Sequence, residues 1–367
     1  MRILIPILCF ARGGGTRVLS ELANEWIRRG HEVVFLCPDS SDEPYFPTIA
    51  KILWVNGQGG VFKTRASKAK SSGSYHLQAL FQGLRKVGHQ YDVILANQSL
   101  TAWPVAIVSC GSASKIYYVQ AYEPEYYINM RNIKDYLLMI LSALSYHLPI
   151  EKIVNAPIYY RYKNLRASTF VPPGLDLNIF KPLENQRDIQ QEATIVIGCI
   201  GRHEPEKGTI YALRAFEELY KIDKRFILRV AYGNLPDGWH HKRCEIIVPN
   251  NDKELADFYR SVDILIAAGT VQHGAPHYPV LESLATGTAV VTTGYMGATD
   301  ETAWIVKNKD VQSIVDSVFK ILSDSVERRN KIVLGLKAVQ KFSWHSVAEK
   351  MMQLICVTAP NRTAKND

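Results

Sequence analysis

Short apolar runs and amphipathic stretches take turns along this chain from end to end, and the alternation begins afresh past its middle. Apolar runs of a few residues bounded by turn residues read as buried strands, and stretches with apolar positions three and four apart read as helices. Regular alternation of the two predicts parallel sheets with crossover helices. Residues 2–7 form the first such strand and residues 16–29 the first helix, with Val18, Leu19, Leu22, Ala23, Trp26 and Ile27 on one face and Gly30 as its stop. Strands at 31–36, 51–55, 91–96 and 115–119 continue the pattern, with a helix carrying Leu77, Leu80, Phe81 and Leu84 between them. The breaker-rich Phe170-Val171-Pro172-Pro173-Gly174-Leu175-Asp176 and the polar run 184–192 interrupt it. Strands at 194–200, 225–231, 262–267 and 288–292 then alternate with helices at 209–220, 252–260 and 279–285, and further helices follow from Val311. The expected fold class is α/β, with two doubly wound, Rossmann-like halves over 1–172 and 173–342. A length of 367 residues suits two domains at roughly 100–200 residues each.

Composition closes off other classes. Hydrophobic residues make up 47% and charged residues 21%, near the globular norm, which excludes wholesale disorder and collagen-like repeats. A mean hydropathy of −0.08 leaves no room for a polytopic membrane protein. The most apolar stretch, 136–150, is too short to span a bilayer and contains Ser142, Ser145 and His147. The 43 Lys and Arg against 35 Asp and Glu give a net charge of +8, which favours nucleotide phosphates, nucleic acid or a membrane surface as partner. The basic segment 63–70 is read as a solvated loop or as a contact for anionic lipid headgroups; it lacks the interleaved aromatics that nucleic-acid binding needs. Cysteines at 9, 37, 110, 199, 244 and 356 show no C-x-x-C spacing and read as buried reduced thiols of a cytoplasmic protein. The opening MRILIPILCFARGGG lacks a small-residue cleavage site and runs into glycines and a helix, so it reads as a strand and not as a signal segment.

Ligands of doubly wound sheets sit at the carboxyl ends of strands, so the turns there carry the chemistry. Gly13-Gly14-Gly15 precedes the first helix, where exposed N–H groups and the helix dipole attract an anion. A dinucleotide fingerprint would use Gly13 and Gly15, with Asp39 as the ribose acid, but position 18 is Val. The second half opens similarly with Gly201-Arg202-His203-Glu204-Pro205-Glu206-Lys207-Gly208. The order fails a Walker A motif, yet Arg202 and Lys207 beside a helix N-terminus suit a diphosphate; a solvated basic loop is the plainer alternative. Pro279 to Gly287 is a third helix start, carrying Glu282 among small and apolar residues. A carboxylate there can accept from two vicinal ribose hydroxyls, or merely complement the helix dipole. His240, His241 and Cys244 lack a fourth ligand at recognisable spacing, and no Asp-x-Asp triplet occurs, so no metal is expected.

Taken in order, these segments resemble the retaining nucleotide-sugar glycosyltransferases of the GT-B fold, often called the glycosyl transferases group 1 family. The resemblance runs through GGGTRVLSELANEWIRRGHEVVFL, VPPGLDLNIFKP, IGCIGRHEPEKGTIYALRAFEEL, PVLESLATGTAVVTTG and KFSWHSVAEKMMQLI. It implies two domains facing across a cleft, with a C-terminal helix (343–367) crossing back to the first. It implies that Gly201, Arg202 and Lys207 hold the diphosphate, that Arg202 and Lys207 stabilise the leaving group, and that Glu282 binds ribose. The amides near His277, Tyr278 and Val280 would reach phosphate and sugar, Val248 and Pro249 would flank the base, and Gly14 and Gly15 would close on the diphosphate.

Two departures stand out. The family's sugar-facing acid, eight residues before Glu282, is Gly274 here, and its first-domain His is Gln120, within YVQAYEP. Gln120 and Glu123 are the candidates for acceptor or sugar contact. The pattern with HYPVLE is similar to a rhamnosyltransferase subset of surface-polysaccharide assembly, and a missing acid disfavours polar sugar edges, so a 6-deoxyhexose donor is expected; replacement of the acid by His273 is the alternative. The resemblance further implies a glycan or lipid-linked acceptor, no cofactor beyond the donor substrate, a cytoplasmic enzyme with peripheral membrane contact, and no nucleic acid. An NAD-dependent oxidoreductase using Gly13, Gly15 and Asp39, and a non-catalytic nucleotide-sugar binder, are the competing readings.

Overall fold

The computed structural model describes residues 1–11, 13–65, 72–127, 132–183 and 194–358. The basic run expected at 63–70 lies mostly outside the described residues, as does the polar run 184–192. The chain divides into two compact units, one of Met1–Gly174 with Trp344–Asp367 and one of Leu175–Ser343.

The first unit runs β1 (Arg2–Pro6), α1 (Gly14–Arg28), β2 (Glu32–Pro38), β3 (Lys51–Val55), β4 (Val61–Phe62), α2 (Gly73–Val87), β5 (Val93–Ala96), α3 (Ser99–Ile107), β6 (Ser114–Val119), α4 (Ile133–Ser145), β7 (Glu151–Val154) and β8 (Thr169–Phe170). Its sheet has the order β4-β3-β2-β1-β5-β6-β7-β8. Every pairing is parallel except β3 with β4, an antiparallel edge that the alternation did not foresee. The strands are too apolar to leave either face wet: Ile3, Leu4 and Ile5 of β1 are all fully buried.

The second unit runs β9 (Ile195–Ile200), α5 (Thr209–Ile222), β10 (Phe226–Ala231), β11 (Cys244–Ile247), α6 (Asp252–Arg260), β12 (Ile264–Ala267), α7 (Tyr278–Thr286), β13 (Ala289–Thr292), β14 (Trp304–Ile305), α8 (Val311–Ser323) and α9 (Ser325–Val339). Its parallel sheet has the order β11-β10-β9-β12-β13-β14. Alternate residues of each strand serve opposite faces. Ile195, Ile197 and Cys199 pack with Leu213 and Phe216 of α5 and Val318 of α8, while Val196 packs with Phe258, Tyr259, Val280 and Leu281 from α6 and α7. Burial of each large apolar side chain contributes about 1.5–3 kcal/mol, so the two layers fix the strand register and with it the loops.

A final helix, α10 (Trp344–Thr358), returns to the first unit. The Trp26 indole N–H donates to the Ala348 carbonyl at 3.1 Å, and the Arg29 guanidinium donates to His345 O at 2.7 Å. At the boundary, Leu175 N–H donates to Phe342 O at 2.6 Å and Leu175 bridges Ser343. Gly174 lies flat on the Trp344 ring, where a Cβ would come within 2.1 Å.

The cysteines correct one expectation. Cys37, Cys110 and Cys199 are buried, but Cys9 and Cys356 are exposed and Cys244 is intermediate; all six are free. Cys9 lies beyond the end of β1, so the apolar run that suggested burial outlasts the strand. No helix among the described residues is long and apolar enough to cross a membrane.

Candidate functional site

In the second sheet the strand order reverses between β9 and β12, the place where open α/β sheets bind ligands. Two loops leave the carboxyl ends of these strands. The first, 201–208, is fixed by its glycines. Gly201 N–H donates to Ala231 O at 2.9 Å, and a Cβ there would lie 1.5 Å from Gly233 O. Gly208 has φ +74°, and its Cβ would lie 1.9 Å from Ala268 O in the second loop. Thr209 Oγ1 accepts from Arg202 N–H and donates to Arg202 O, both at 3.0 Å. Thr270 N–H donates to Glu206 O at 2.8 Å, so the two loops are strapped together.

The charged side chains of this loop are unequally occupied. Arg202 forms a forked ion pair with Glu204 at 3.1 and 2.5 Å, which holds the Glu204 carboxyl down to about 2. Both partners are close to half exposed, so the pair adds little stability and is easily exchanged. The Lys207 ammonium has no hydrogen-bond partner among the described residues, and burial with the nearby Arg202 charge pulls its pKa down. Glu206 and Glu204 offset part of that effect, and an inward-held ammonium without a hydrogen bond still gains stabilisation from an anion.

The second loop ends at His277, the N-cap of α7. Its ring sits 4.5 Å from that of Tyr295, and its buried Nδ1 has no hydrogen-bond partner among the described residues. Burial, then the charges of Lys207 and Arg202, push the imidazole down to about 3, so it is neutral across the physiological range. Arg202, Lys207 and His277 are thus within electrostatic reach of one another. Glu282, on α7, is only 2% exposed. Tyr259 O–H donates to its Oε2 at 2.7 Å. It lies beyond the first turn of α7, so the helix-dipole alternative falls away. Gly274 has φ +89° and commits its N–H to Gly294 O at 2.7 Å; the backbone there favours glycine and strains any acid. His273 Nε2 lies 3.1 Å from Gly269 O. Val248 and Pro249 follow β11, the first exposed and the second buried.

In the first unit Gly13 caps α1 and Gly14 and Gly15 form its first turn. The Gln120 amide donates to Gly15 O at 3.2 Å, and Asn155 holds the Gln120 carbonyl at 2.6 Å. Glu123 is differently placed. Ser99 N–H donates to one oxygen at 2.7 Å and Ser99 O–H to the other at 2.5 Å, so this carboxylate caps α3, and burial raises its pKa. Asp39 accepts from Tyr75 O–H at 2.8 Å, on α2, which engages the acid that an NAD reading needs. His241 packs edge-on against Phe216 and Tyr220.

Residues 194–324 match the glycosyl transferases group 1 family, and residues 12–143 match glycosyltransferase family 4. Both of these family models describe glycosyltransferases. D-inositol 3-phosphate glycosyltransferase of Corynebacterium efficiens is 26% identical over 220 residues, 50% of this chain and 49% of the relative. The chain thus spans about half the length of the curated relatives it matches. The fold is that of sucrose-phosphate synthase from Thermosynechococcus elongatus (TM-score 0.74, 16% identity, 97% of this chain and 98% of that one). It is likewise that of the Anabaena protein HepE in complex with UDP-glucose (TM-score 0.71, 14% identity, 97% and 100% covered). The lipopolysaccharide glycosyltransferase WaaG agrees too (TM-score 0.71, 15% identity, 96% and 99% covered). The GT-B fold is established.

The sequence alone missed the supporting residues. Tyr259 orients Glu282 from a neighbouring helix, Tyr295 backs His277, and Asn234 Nδ2 donates to Gly201 O at 3.1 Å. Only the last had a local signal: Gly233-Asn234 follows β10 as a turn pair, and Tyr232, Gly233 and Asn234 all have positive φ.

Proposed function

We propose that this chain transfers a glycosyl group from a nucleoside-diphosphate sugar to a hydroxyl of a glycan or lipid-linked acceptor, with retention of configuration and without a metal ion. The observation that carries the reading is Lys207, a cation without a hydrogen-bond partner among the described residues, beside Arg202 and the neutral His277 at the reversal of the second sheet. Breaking the bond between the anomeric carbon and the phosphate oxygen leaves negative charge on the diphosphate. Arg202 exchanges Glu204 for a phosphate oxygen, Lys207 gains a hydrogen-bonded anion, and the N-termini of α5 and α7 add their dipoles. These groups are in place before reaction, so little reorganisation opposes the step. Glu282, held by Tyr259, accepts from the ribose hydroxyls. The departing phosphate oxygen takes the acceptor proton, which is consistent with Glu123 being committed to α3.

HepE, of the same fold, is in complex with UDP-glucose, which supports the donor class. The sugar is read as a 6-deoxyhexose, because position 274 supplies neither a side chain nor a free N–H to a hydroxyl-rich edge. Turnover with dTDP-rhamnose, UDP-glucose and GDP-mannose, each with and without excess chelator, tests the proposal. Nucleoside diphosphate released from dTDP-rhamnose in chelator is the expected result. Preference for glucose or mannose overturns the deoxysugar reading; loss of activity in chelator, restored by a divalent ion, overturns metal independence. Nucleotide binding without turnover of any donor overturns transfer itself.

A further inference from the structure

A helix N-terminus holds an anion through the backbone N–H groups that its first turn leaves over. Helix α7 is poorly provided with them. Pro279, its second residue, has no N–H. The N–H groups of Val280 and Leu281 both donate to His277 O, at 3.0 and 3.3 Å. The stabilisation that several amides give a phosphate at an ordinary helix start must here come from other groups. Arg202 and Lys207 supply charge from the neighbouring loop. On the α7 side, the side chain of the N-cap residue His277 stands where the amides are short, and it makes no capping bond to its own helix.

The ring is set before any ligand arrives. One face lies against Tyr295, 4.5 Å away and tilted by 33°. Tyr295 is itself fixed: its O–H donates to Val271 O at 3.0 Å, and a Cβ on Gly269 would come within 2.1 Å of its hydroxyl oxygen. His277 Nδ1 is buried without a partner among the described residues, while the residue as a whole is partly exposed. A buried N–H with no acceptor is a costlier orphan than a bare lone pair. The ring is neutral, because burial and then the charges of Lys207 and Arg202 disfavour a further cation. A neutral imidazole with Nδ1 bare carries its one N–H on Nε2 and is a hydrogen-bond donor there.

We propose that His277 donates this Nε2–H to the diphosphate oxygen on which charge grows as the sugar departs, in place of the amide that Pro279 removes. The inference deepens the transfer reading and rests on it. No proton leaves the imidazole: the ring stays neutral, and the hydrogen bond strengthens as the oxygen becomes an oxyanion. A neutral donor adds direction beside Arg202 and Lys207 without adding repulsion between cations.

The test separates a hydrogen-bond donor from a ring that merely packs. His277→Phe keeps a ring against Tyr295 and removes the donor, whereas His277→Gln returns an N–H at similar reach. Calorimetry with UDP against UMP, and dTDP against dTMP, reads the contact without turnover. The Phe variant is expected to bind the diphosphates about tenfold more weakly and the monophosphates as the native chain does, with the Gln variant between. In turnover with a sugar nucleotide, kcat of the Phe variant should fall by about 100-fold while KM changes much less. Nitrogen NMR of labelled histidine at neutral pH should show Nδ1 bare and Nε2 protonated, with the Nε2 signal moving on addition of the diphosphate. Equal diphosphate affinity in the native chain and the Phe variant overturns the inference, as does a proton found on Nδ1. If the diphosphates bind but the His277 variants bind them equally well, the transfer reading stands alone; if no diphosphate binds the native chain, both fall.

Discussion

The two sheets reverse their strand order in the same way, between β1 and β5 in the first unit and between β9 and β12 in the second, yet the turns at the two reversals differ in chemistry. In the first, the glycines of α1 are contacted by an amide from Gln120, and the nearby carboxylate of Glu123 is saturated by Ser99. In the second, among the described residues, Lys207 is left without a hydrogen-bond partner, Arg202 holds an exposed partner, and the Nδ1 of His277 is unpaired. Identical topology therefore supplies a place for a ligand but not the affinity for one. The affinity resides in groups that the folded chain leaves unsatisfied.

The sharpest way to break this comparison is to remove the unsatisfied charge. Lys207→Ala should lower turnover about 100-fold or more, the scale for losing one preorganised donor, whereas Gln120→Ala should cost less than tenfold. Equal losses in product-release assays would erase the distinction between the two reversals. Gly208→Ala is expected to destabilise the second unit by about 3 kcal/mol, because the new methyl meets Ala268 O and the φ of +74° is unfavourable; a urea midpoint that does not move would contradict the strapped-loop geometry. A third effect is smaller and depends on pH. The unfolded His277 titrates near 6.5 but the folded one near 3, so between these values the unfolded state binds the additional proton. Stability should fall as pH drops below 6.5, and His277→Gln should flatten that decline in denaturant titrations. The smallest effect belongs to Gly15→Ala, where a Cβ would approach Gln120 at 3.3 Å. The helix-propensity gain of up to about 1 kcal/mol offsets the displacement of one flexible amide, and thermal melts should show little change.

The second reversal was legible because its constraints are local. Gly201 and Gly208 bracket the loop, Arg202 and Lys207 are cations within it, and Pro279 and Gly287 delimit α7 to within a residue or two. What escaped is tertiary. The strands β7, β8, β11 and β14 have two to four residues each, too few for a period to show. The stretch 136–150 was recognisable as apolar, but no sequence period tells which side of a helix faces the core, and α4 turns the unexpected side outward. Glu123 was visible as an acid near Gln120, yet its commitment to Ser99 depends on a helix 24 positions earlier in the chain. The glycine at 274 was noticed for what it lacks; that its φ of +89° favours glycine is known only from the fold.

The return of α10 to the first unit also dictates the order in which the chain can complete itself during synthesis. A ribosome that has made residue 343 has delivered every part of the second unit. The first unit, although begun earlier, still waits for the carbonyl of Ala348 that accepts from Trp26 and for the ring of Trp344 that covers Gly174. Domains made in sequence ordinarily finish in sequence. Here the later segment closes first, and the earlier one must keep the side of α1 that α10 will cover from misassociating until the last helix emerges.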